Sequence, residues 1–396
     1  MPPRWSTCLP RDIATCGHAT DGGASFCSSD AHFATSSPAR RNSDGLEHPY
    51  TILVPDDYDP QTRYQVRGFL HGGIVRPGWE SGGSWWRNYD ARKRNDAISV
   101  FPASWNESMW WSARQIENLV GILDRLKRTY NVDENRVYLF GIFDGGSGAY
   151  FHAFRAATTW ATFLPFIGHP AVIGNTRLVG DEHMFVANLT NRPFYIVNGE
   201  IDRLYPVRLV EPFVALFRQA GTEVVFRPQA GSGHNVRWWP SEAANIDAFI
   251  EANPQRPHPH RLMWETERTD RSNRHHWLLI TELGAVDGES ALDDFNTLPQ
   301  TNGEVFAFFR SSPTGRVEVT HGSNTVTVRT EGVRRYKLLL SPDQFDFDSL
   351  IRVITNGRES FQGMVTRNVA TLLRWAARDN DRTMLFAAEV EIDLGN

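Results

Sequence analysis

The sequence predicts an α/β protein, in which a mostly parallel sheet with crossover helices is followed by a β-rich C-terminal domain. Short apolar stretches alternate with helical stretches between residues 46 and 252, which is typical of βαβ units. Prolines then interrupt residues 253–260, where they deny the backbone regular hydrogen bonds. Beyond them, residues 305–340 alternate apolar and polar side chains as strands do.

The first part of the α/β region contains three predicted strands and one helix. Apolar stretches at residues 50–55, 64–70 and 97–102 predict the strands. A helix is expected at about residues 115–130, because apolar side chains recur there at three- and four-residue spacing. The residues of this apolar face are Ile116, Leu119, Val120, Leu123 and Leu126.

The second part begins with a strand at residues 136–140, a glycine-rich turn at 141–148 and a helix at 149–155. Two further strands each end in a polar turn, and two helices would cover the faces of the sheet. These four elements are strands 193–197 and 223–227 and helices at about 207–220 and 241–252.

The chain divides into four predicted segments. Residues 1–45 are rich in Ser, Ala, Gly, Asp and Arg without period, which indicates a poorly ordered lead-in. Residues 46–252 form the α/β domain, residues 253–260 the linker and residues 261–396 the β-rich domain. Strands at 316–319 and 325–328 and a helix near 365–377 are expected in this last domain.

Composition and charge exclude several classes of function. With 41 Lys+Arg against 46 Asp+Glu, the net charge of −5 and the absence of a basic block argue against nucleic-acid binding. No apolar stretch approaches the roughly 18 residues of a membrane span. The three cysteines, Cys8, Cys16 and Cys27, lie in the first segment, so the two predicted domains contain no cysteine that could form a stabilising disulfide. Without a signal-peptide pattern the sequence predicts the cytoplasm, or secretion if the N-terminus is misassigned.

Residues 137–146 have the spacing of a nucleophile elbow, a strand-turn-helix unit with small residues two positions before and after its centre. Gly141 and Gly145 are those small residues, and they let the chain turn sharply enough to lift the central side chain above the sheet. The central residue is Phe143, where this chemistry needs a nucleophile. A glycine-rich turn before a helix is also ordinary βα connection chemistry.

Four pieces in chain order resemble a known family. His71-Gly72-Gly73 follows a strand, the elbow comes next, Asn198-Gly199-Glu200-Ile201-Asp202 follows another strand, and Gly233-His234 comes last. In this order they resemble the serine esterases of the α/β-hydrolase superfamily, close to polyhydroxybutyrate-depolymerase-like and feruloyl-esterase-like members. The resemblance covers about residues 46–252.

The resemblance implies a role for each matching residue. His234 would be the general base, and Asp202 would orient it and stabilise the imidazolium. Backbone N–H groups near Gly72 and Gly73, with that of Asp144, would form the oxyanion hole. A structural histidine and aspartate are the alternative to this catalytic pair.

Phe143 departs from the family pattern, because a benzyl side chain has no nucleophilic atom and fills space that an ester carbonyl needs. Two substitutes are conceivable. Ser147 gives a looser small-x-nucleophile-x-small match, but it lies one helical turn beyond the strand end. Asp144 could act as a carboxylate nucleophile, but it is one position off and is expected to point away.

Aromatic and histidine side chains leave two further questions. Tryptophans in loops near the proposed site would line an aromatic or acyl pocket, or else pack in the core. Those taken as pocket residues are Trp85, Trp86, Trp110, Trp111 and Trp238.

His258, His260, His275 and His276 do not converge as metal ligands do, so solvated surface is the expectation. No phosphate loop or dinucleotide fingerprint is present, and no cofactor or metal is expected.

The sequence therefore supports two functions. One is a carboxylic-ester hydrolase that acts through an acyl-enzyme on a small-molecule or polymer ester, with its activity in question because of Phe143. The other is a catalytically inactive homologue that binds a ligand or another protein. Nothing in the sequence specifies the ester, the oligomeric state or the role of the C-terminal domain.

Overall fold

The computed structural model describes residues 39–76, 92–175, 183–284, 297–300, 303–308 and 313–395. Its largest sheet has eight strands in the order β1-β2-β4-β3-β5-β6-β7-β8. The strands are β1 (Ala39–Arg41), β2 (Glu47–Leu53), β3 (Tyr64–Leu70), β4 (Ala97–Pro102), β5 (Val132–Ile142), β6 (Thr162–Phe166), β7 (Phe194–Gly199) and β8 (Val224–Gln229). Pairing is antiparallel from β1 to β2 and from β2 to β4, and parallel from β4 through β3 to β8.

Four helices connect or follow these strands. They are α1 (Ala113–Thr129), α2 (Asp144–Arg155), α3 (Val207–Gln219) and α4 (Trp239–Ala252). Helix α1 buries Leu119, Leu123 and Leu126 as expected, but Val120 of the predicted apolar face is 43% exposed. Buried Gln115 and Asn118 take the neighbouring positions, because their amides hydrogen-bond to each other inside the fold.

Two apolar clusters lie on the two faces of the large sheet. Alternate residues of β5 point to opposite faces, so that Val137 and Leu139 join one cluster and Tyr138 and Phe140 the other. Side chains of α1, α2 and α3 pack in the first cluster, and those of α4 pack in the second. The central strands are buried on both faces, as in a parallel sheet covered by helices.

Residues after the predicted linker form a β-rich region. One sheet has the order β18-β17-β15-β14-β9, a second the order β10-β11-β16-β19, and β12 pairs with β13. The strands are β9 (Arg261–Thr266), β10 (Arg274–His275), β11 (Leu278–Leu283), β12 (Thr297–Gln300), β13 (Gly303–Phe306), β14 (Gly315–Gly322), β15 (Thr325–Glu331), β16 (Val333–Leu340), β17 (Ile351–Thr355), β18 (Arg358–Gly363) and β19 (Ala388–Asp393). Helix α5 (Val369–Asp379) lies between the last two strands in sequence. The predicted fold class, an α/β-hydrolase sheet with a β-rich C-terminal region, is confirmed.

Contacts cross the predicted linker. The Gln255 backbone N–H donates to the Asn135 carbonyl oxygen at 2.6 Å. The Asn188 side chain accepts the Glu265 N–H at 2.7 Å and donates to the Glu265 carbonyl at 3.0 Å. Residues from Thr35 onward group as one compact unit. The boundaries at 46–252, 253–260 and 261–396 stay predictions, and within residues 1–45 the described part contains strand β1.

No helix among the described residues is long and apolar enough to cross a membrane.

Candidate active site

The end of β5 turns directly into α2 at Phe143. The strand ends at Ile142 and the helix begins at Asp144, so a single residue makes the turn. Phe143 has φ 62° and ψ −117°, a backbone conformation that non-glycine residues rarely adopt. Its N–H donates to the Phe166 carbonyl oxygen at 3.0 Å, which ties the turn to β6. The spacing in the sequence therefore corresponds to a strained strand-turn-helix corner.

The glycines around the elbow are required by close backbone approach. A Cβ at Gly141 would lie 1.9 Å from the Gly145 carbonyl oxygen, and one at Gly145 would lie 2.1 Å from the Leu70 carbonyl oxygen. A Cβ at Gly146 would lie 2.7 Å from the Phe166 carbonyl oxygen. The prediction that residues 141–148 form a turn is wrong from Asp144 onward, because these glycines serve helix packing rather than loop flexibility.

A histidine-carboxylate pair lies beside the elbow. Asp202 follows β7, His234 follows β8, and the His234 Nδ1 lies 2.7 Å from the Asp202 Oδ2. The Asp202 side chain is fully buried, and its Oδ1 accepts the backbone N–H groups of Leu204 at 2.8 Å and Tyr205 at 3.1 Å. The carboxylate is therefore oriented by the loop and in turn orients the imidazole.

The ring of Phe143 packs edge to face on the imidazole of His234, with 4.2 Å between ring centroids and 76° between planes. Among the described residues, the His234 Nε2 is buried and has no hydrogen-bond partner. Tyr205 borders both rings, at 6.1 Å from Phe143 and 5.9 Å from His234 between centroids. Burial raises the pKa of the Tyr205 hydroxyl to about 12, with the Asp144 and Asp202 carboxylates acting in the same direction.

The loop after β3, residues 71–76, lies against the elbow and is called here the amide loop. A Cβ at Gly72 would lie 2.6 Å from the Phe143 Cβ, so the backbone of Gly72 touches the turn. Gly73 has φ +67°, a left-handed conformation that suits glycine. His71 is buried and anchors the loop: its Nδ1–H donates to the Gly72 carbonyl at 2.9 Å, and its Nε2 accepts the Ser104 N–H at 3.1 Å. Burial lowers the pKa of His71 to about 4.

The Asp144 side chain reaches the amide loop. Its Oδ2 accepts the N–H of Gly73 at 2.6 Å and that of Ile74 at 3.1 Å. Of the amides predicted for the oxyanion hole, that of Gly73 is therefore engaged, whereas those of Gly72 and Asp144 have no acceptor among the described residues. Burial raises the pKa of the Asp144 carboxyl, opposed by the two amide hydrogen bonds and by His234.

Neither substitute nucleophile is presented to His234 in this geometry. Ser147 is fully buried in α2, and its hydroxyl donates to the His169 carbonyl at 3.2 Å and accepts the His169 N–H at 3.3 Å. The Asp144 carboxylate is directed to the amide loop rather than to the imidazole. Both side chains are thus engaged with backbone groups.

The predicted tryptophan pocket is only partly described. Trp85 and Trp86 lie outside the described residues. Trp110 and Trp111 are buried in the first apolar cluster, and Trp238 is buried in the second, where it packs on Phe166. The Trp110 indole N–H donates to the His71 carbonyl at 2.8 Å, which helps to hold the amide loop. These three side chains have the packing role that was the alternative to a pocket.

Two residues near the elbow were not singled out from the sequence. Tyr205 borders His234, and His169 lies 5.5 Å from Tyr205 between ring centroids. The only signal for Tyr205 in the sequence was its position three residues after Asp202. In the structure, the Asp202 carboxylate accepts the Tyr205 N–H. His169 donates through Nε2 to the Leu209 carbonyl at 3.1 Å and had no such signal.

The expectation of solvated histidines is wrong for one pair. His275 and His276 are fully buried, because they lie where β10 packs against residues before the linker: the Thr158 hydroxyl accepts the His276 N–H at 3.1 Å. Burial lowers the pKa of both imidazoles well below the usual value. Of the other pair, His260 is exposed as expected, whereas His258 is only partly exposed and both of its ring nitrogens are buried. Within the described ranges, no group of three or more His, Cys, Asp or Glu residues could hold a metal ion.

Comparisons with known proteins gave matches among solved structures. No protein-family model matches the sequence, and a search of curated proteins gives no significant match. Similar solved structures include a thermostable esterase, 19% identical with a TM-score of 0.44, over 55% of this chain and 62% of its own length. Another is esterase 2 of Thermogutta terrifontis, phosphoramylated by tabun, 14% identical with a TM-score of 0.42, over 55% of this chain and 95% of its own. The match thus covers less than two thirds of the length of the thermostable esterase. The fold assignment rests on the strand order of the chain itself.

Proposed function

We propose that the chain is a relative of the serine carboxylesterases that binds an ester-type ligand against the Phe143 ring, outside the position that a hydrolysed ester would take, and that it does not hydrolyse this ligand. The observation that carries this proposal is the contact of the Phe143 ring with His234, 4.2 Å between centroids. That contact places an apolar ring where a general base would meet the hydroxyl of a nucleophile. The ligand class that we propose, a carboxylic ester, rests on the resemblance to polyhydroxybutyrate-depolymerase-like and feruloyl-esterase-like members.

The remaining parts of an acyl-transfer site support the ester class. The His234 Nδ1 and the Asp202 Oδ2 are 2.7 Å apart, which selects the tautomer whose Nε2 can accept a proton. The N–H groups of Gly72 and Asp144 are without acceptors in the described part of the chain and lie beside the elbow. An ester carbonyl oxygen is the natural acceptor for two such donors.

A second candidate is an active carboxylic-ester hydrolase that acts through an acyl-enzyme with a different nucleophile. The retained His234–Asp202 pair favours it, because base and orienting acid serve nucleophilic catalysis. The contacts of the candidate nucleophiles oppose it. The Ser147 hydroxyl is engaged by the His169 backbone, and the Asp144 carboxylate by the amide loop.

The test compares the unaltered protein with a His234→Ala variant on p-nitrophenyl acetate. The expected result is that neither protein gives a burst of p-nitrophenol and that their steady rates are equal. A burst that depends on His234 would overturn the non-hydrolytic proposal and support the second candidate. A calorimetric titration with methyl ferulate should show binding that the His234→Ala substitution weakens, and absence of binding to the folded protein would contradict the ligand class.

A further inference from the structure

We infer that the side chain of Asp144 is a positioning residue, which holds the amide loop against the elbow so that the N–H groups of Gly72 and Asp144 face one point. The chemistry that those two amides would serve rests on the proposed function. The holding contact itself does not, because it is a property of the chain with Phe143 in place.

The contact joins two segments that are distant in sequence. Asp144 is the first residue of α2, and its Oδ2 accepts two amide protons of the loop, from Gly73 at 2.6 Å and from Ile74 at 3.1 Å. The Asp144 residue is 8% exposed, so these bonds are sheltered from water. Hydrogen bonds to a buried carboxylate are about twice as strong as neutral ones. One oxygen therefore binds the centre of the loop to the residue next to Phe143.

Other contacts hold the loop elsewhere. The Trp110 indole N–H binds the His71 carbonyl, and the Arg76 Nε donates to the Gly73 carbonyl at 2.7 Å. Those bonds engage carbonyl groups, whereas Asp144 engages amide groups. The His71 carbonyl and the Gly72 N–H belong to one peptide plane, so Trp110 orients that amide directly. Asp144 fixes the next two peptide planes through the Gly73 and Ile74 N–H groups, which keeps this part of the loop beside the elbow.

Glycines make such a constraint necessary. Gly72 and Gly73 are adjacent, and Gly73 has φ +67°, so the loop centre has wide conformational freedom. The Gly72 backbone also touches Phe143, since an added Cβ would lie 2.6 Å from the Phe143 Cβ. A small shift of the loop would therefore change the distance of its amide from the elbow. Donors placed in advance are what make an oxyanion site effective.

The first arm of the test uses hydrogen exchange and requires no activity. Asp144→Ala in the unaltered background should speed exchange of the Gly73 and Ile74 amides by about 10- to 100-fold, because their acceptor is removed. Asp144→Asn, which keeps one carbonyl oxygen at this position, should give an intermediate rate. Asp381→Ala is the matched control. Asp381 is also buried and accepts the Thr383 N–H at 2.8 Å, so its removal should leave the amide loop unchanged.

The second arm uses p-nitrophenyl acetate in the Phe143→Ser background. Adding Asp144→Ala should lower kcat about 10²-fold with little change in KM, because the donors are displaced from the transition state. Adding Asp144→Asn should restore most of kcat, and adding Asp381→Ala should change nothing.

Each arm can overturn the inference. Unchanged exchange of Gly73 and Ile74 in both Asp144 variants would show that the carboxylate does not hold the loop. Equal kcat for Phe143→Ser with and without Asp144→Ala would show that the contact does not position the donors. If Phe143→Ser is inactive, the proposed function fails, and the exchange measurement alone decides on the holding contact.

Discussion

The Phe143 ring lies edge to face on the His234 imidazole, and the buried Nε2 of that imidazole has no hydrogen-bond partner among the described residues. A hydroxyl at position 143 would therefore enter a space bordered by the His234 imidazole and by the Gly72 and Asp144 amides, which have no acceptor in the described part of the chain. In the present chain, the benzyl ring of Phe143 fills the same space.

Phe143→Ser should create esterase activity. The elbow glycines are retained, and serine can occupy the conformation with φ 62° and ψ −117° that phenylalanine already adopts. Enzymes with a complete triad exceed variants lacking one member by about 10⁴ to 10⁶ in kcat, so the gain should be clear with short-chain p-nitrophenyl and feruloyl esters. Phe143→Ala, which removes the ring without adding a hydroxyl, should stay inactive. Equal activity of Phe143→Ser and Phe143→Ser combined with His234→Ala would exclude His234 as the base.

Gly141→Ala should strongly destabilise the protein. An added Cβ would lie 1.9 Å from the Gly145 carbonyl oxygen, and both atoms belong to backbone that cannot move aside. Overpacking of this kind costs about 3 kcal/mol or more. Gly322→Ala is the control, because nothing lies within 4 Å of its added Cβ. Thermal unfolding of the two variants should separate them, and equal midpoints would contradict the elbow geometry.

Asn188→Ala should lower the free energy of unfolding by about 2–4 kcal/mol. The change removes the side-chain hydrogen bonds that Asn188 makes to the Glu265 N–H and C=O and to the Phe154 carbonyl, the last at 2.9 Å. Asn106→Ala, at an exposed position, should change it by less than about 0.5 kcal/mol. Chemical unfolding followed by two spectroscopic probes should show one transition. Two separate transitions would instead favour independent domains on either side of residues 253–260.

Stability should fall as the pH decreases from about 6.5. Burial lowers the folded-state pKa of His71 to about 4 and that of His152 to about 3, from the usual 6.5. Below pH 6.5 the unfolded chain therefore binds protons that the folded chain does not, and each such histidine removes up to about 1.4 kcal/mol per pH unit. This loss continues to about pH 4 for His71 and about pH 3 for His152. The raised pKa of Asp144 acts in the opposite sense.

Denaturant unfolding at pH 7.5, 6 and 5 measures this dependence. His152→Leu replaces the titrating side chain with an apolar one of similar size. In this variant the free energy of unfolding should decrease less steeply with falling pH, by the contribution of one proton. An identical pH dependence of the variant and the unaltered protein would contradict a neutral, buried His152.

Several elements follow from local sequence. Strands β3 and β4 lie at the predicted residues 64–70 and 97–102, because strands buried on both faces are continuous apolar stretches. The elbow follows from the spacing of Gly141 and Gly145, since only glycine allows that backbone approach. The resemblance implied that Asp202 orients His234, and the structure places the His234 Nδ1 2.7 Å from the Asp202 Oδ2. The catalytic roles of these residues stay predictions.

Other features depend on partners that are distant in the chain. Strand β6 was not anticipated, since Thr162–Phe166 is short and contains Pro165, and its pairing with β5 and β7 is a long-range property. The first turns of α2 were assigned to a loop, because the contacts of Gly145 and Gly146 with Leu70 and Phe166 are invisible locally.

Side-chain environments were the least predictable from sequence. Trp110 and His276 are buried, and the Asp144 carboxylate binds the amide loop, because of residues dozens of positions away. The sequence by itself determined the fold class and the elbow, both of which depend on local spacing and strand periodicity. Only the tertiary structure decided which groups each side chain meets, because burial and hydrogen bonding are set by surfaces that come together when the chain folds.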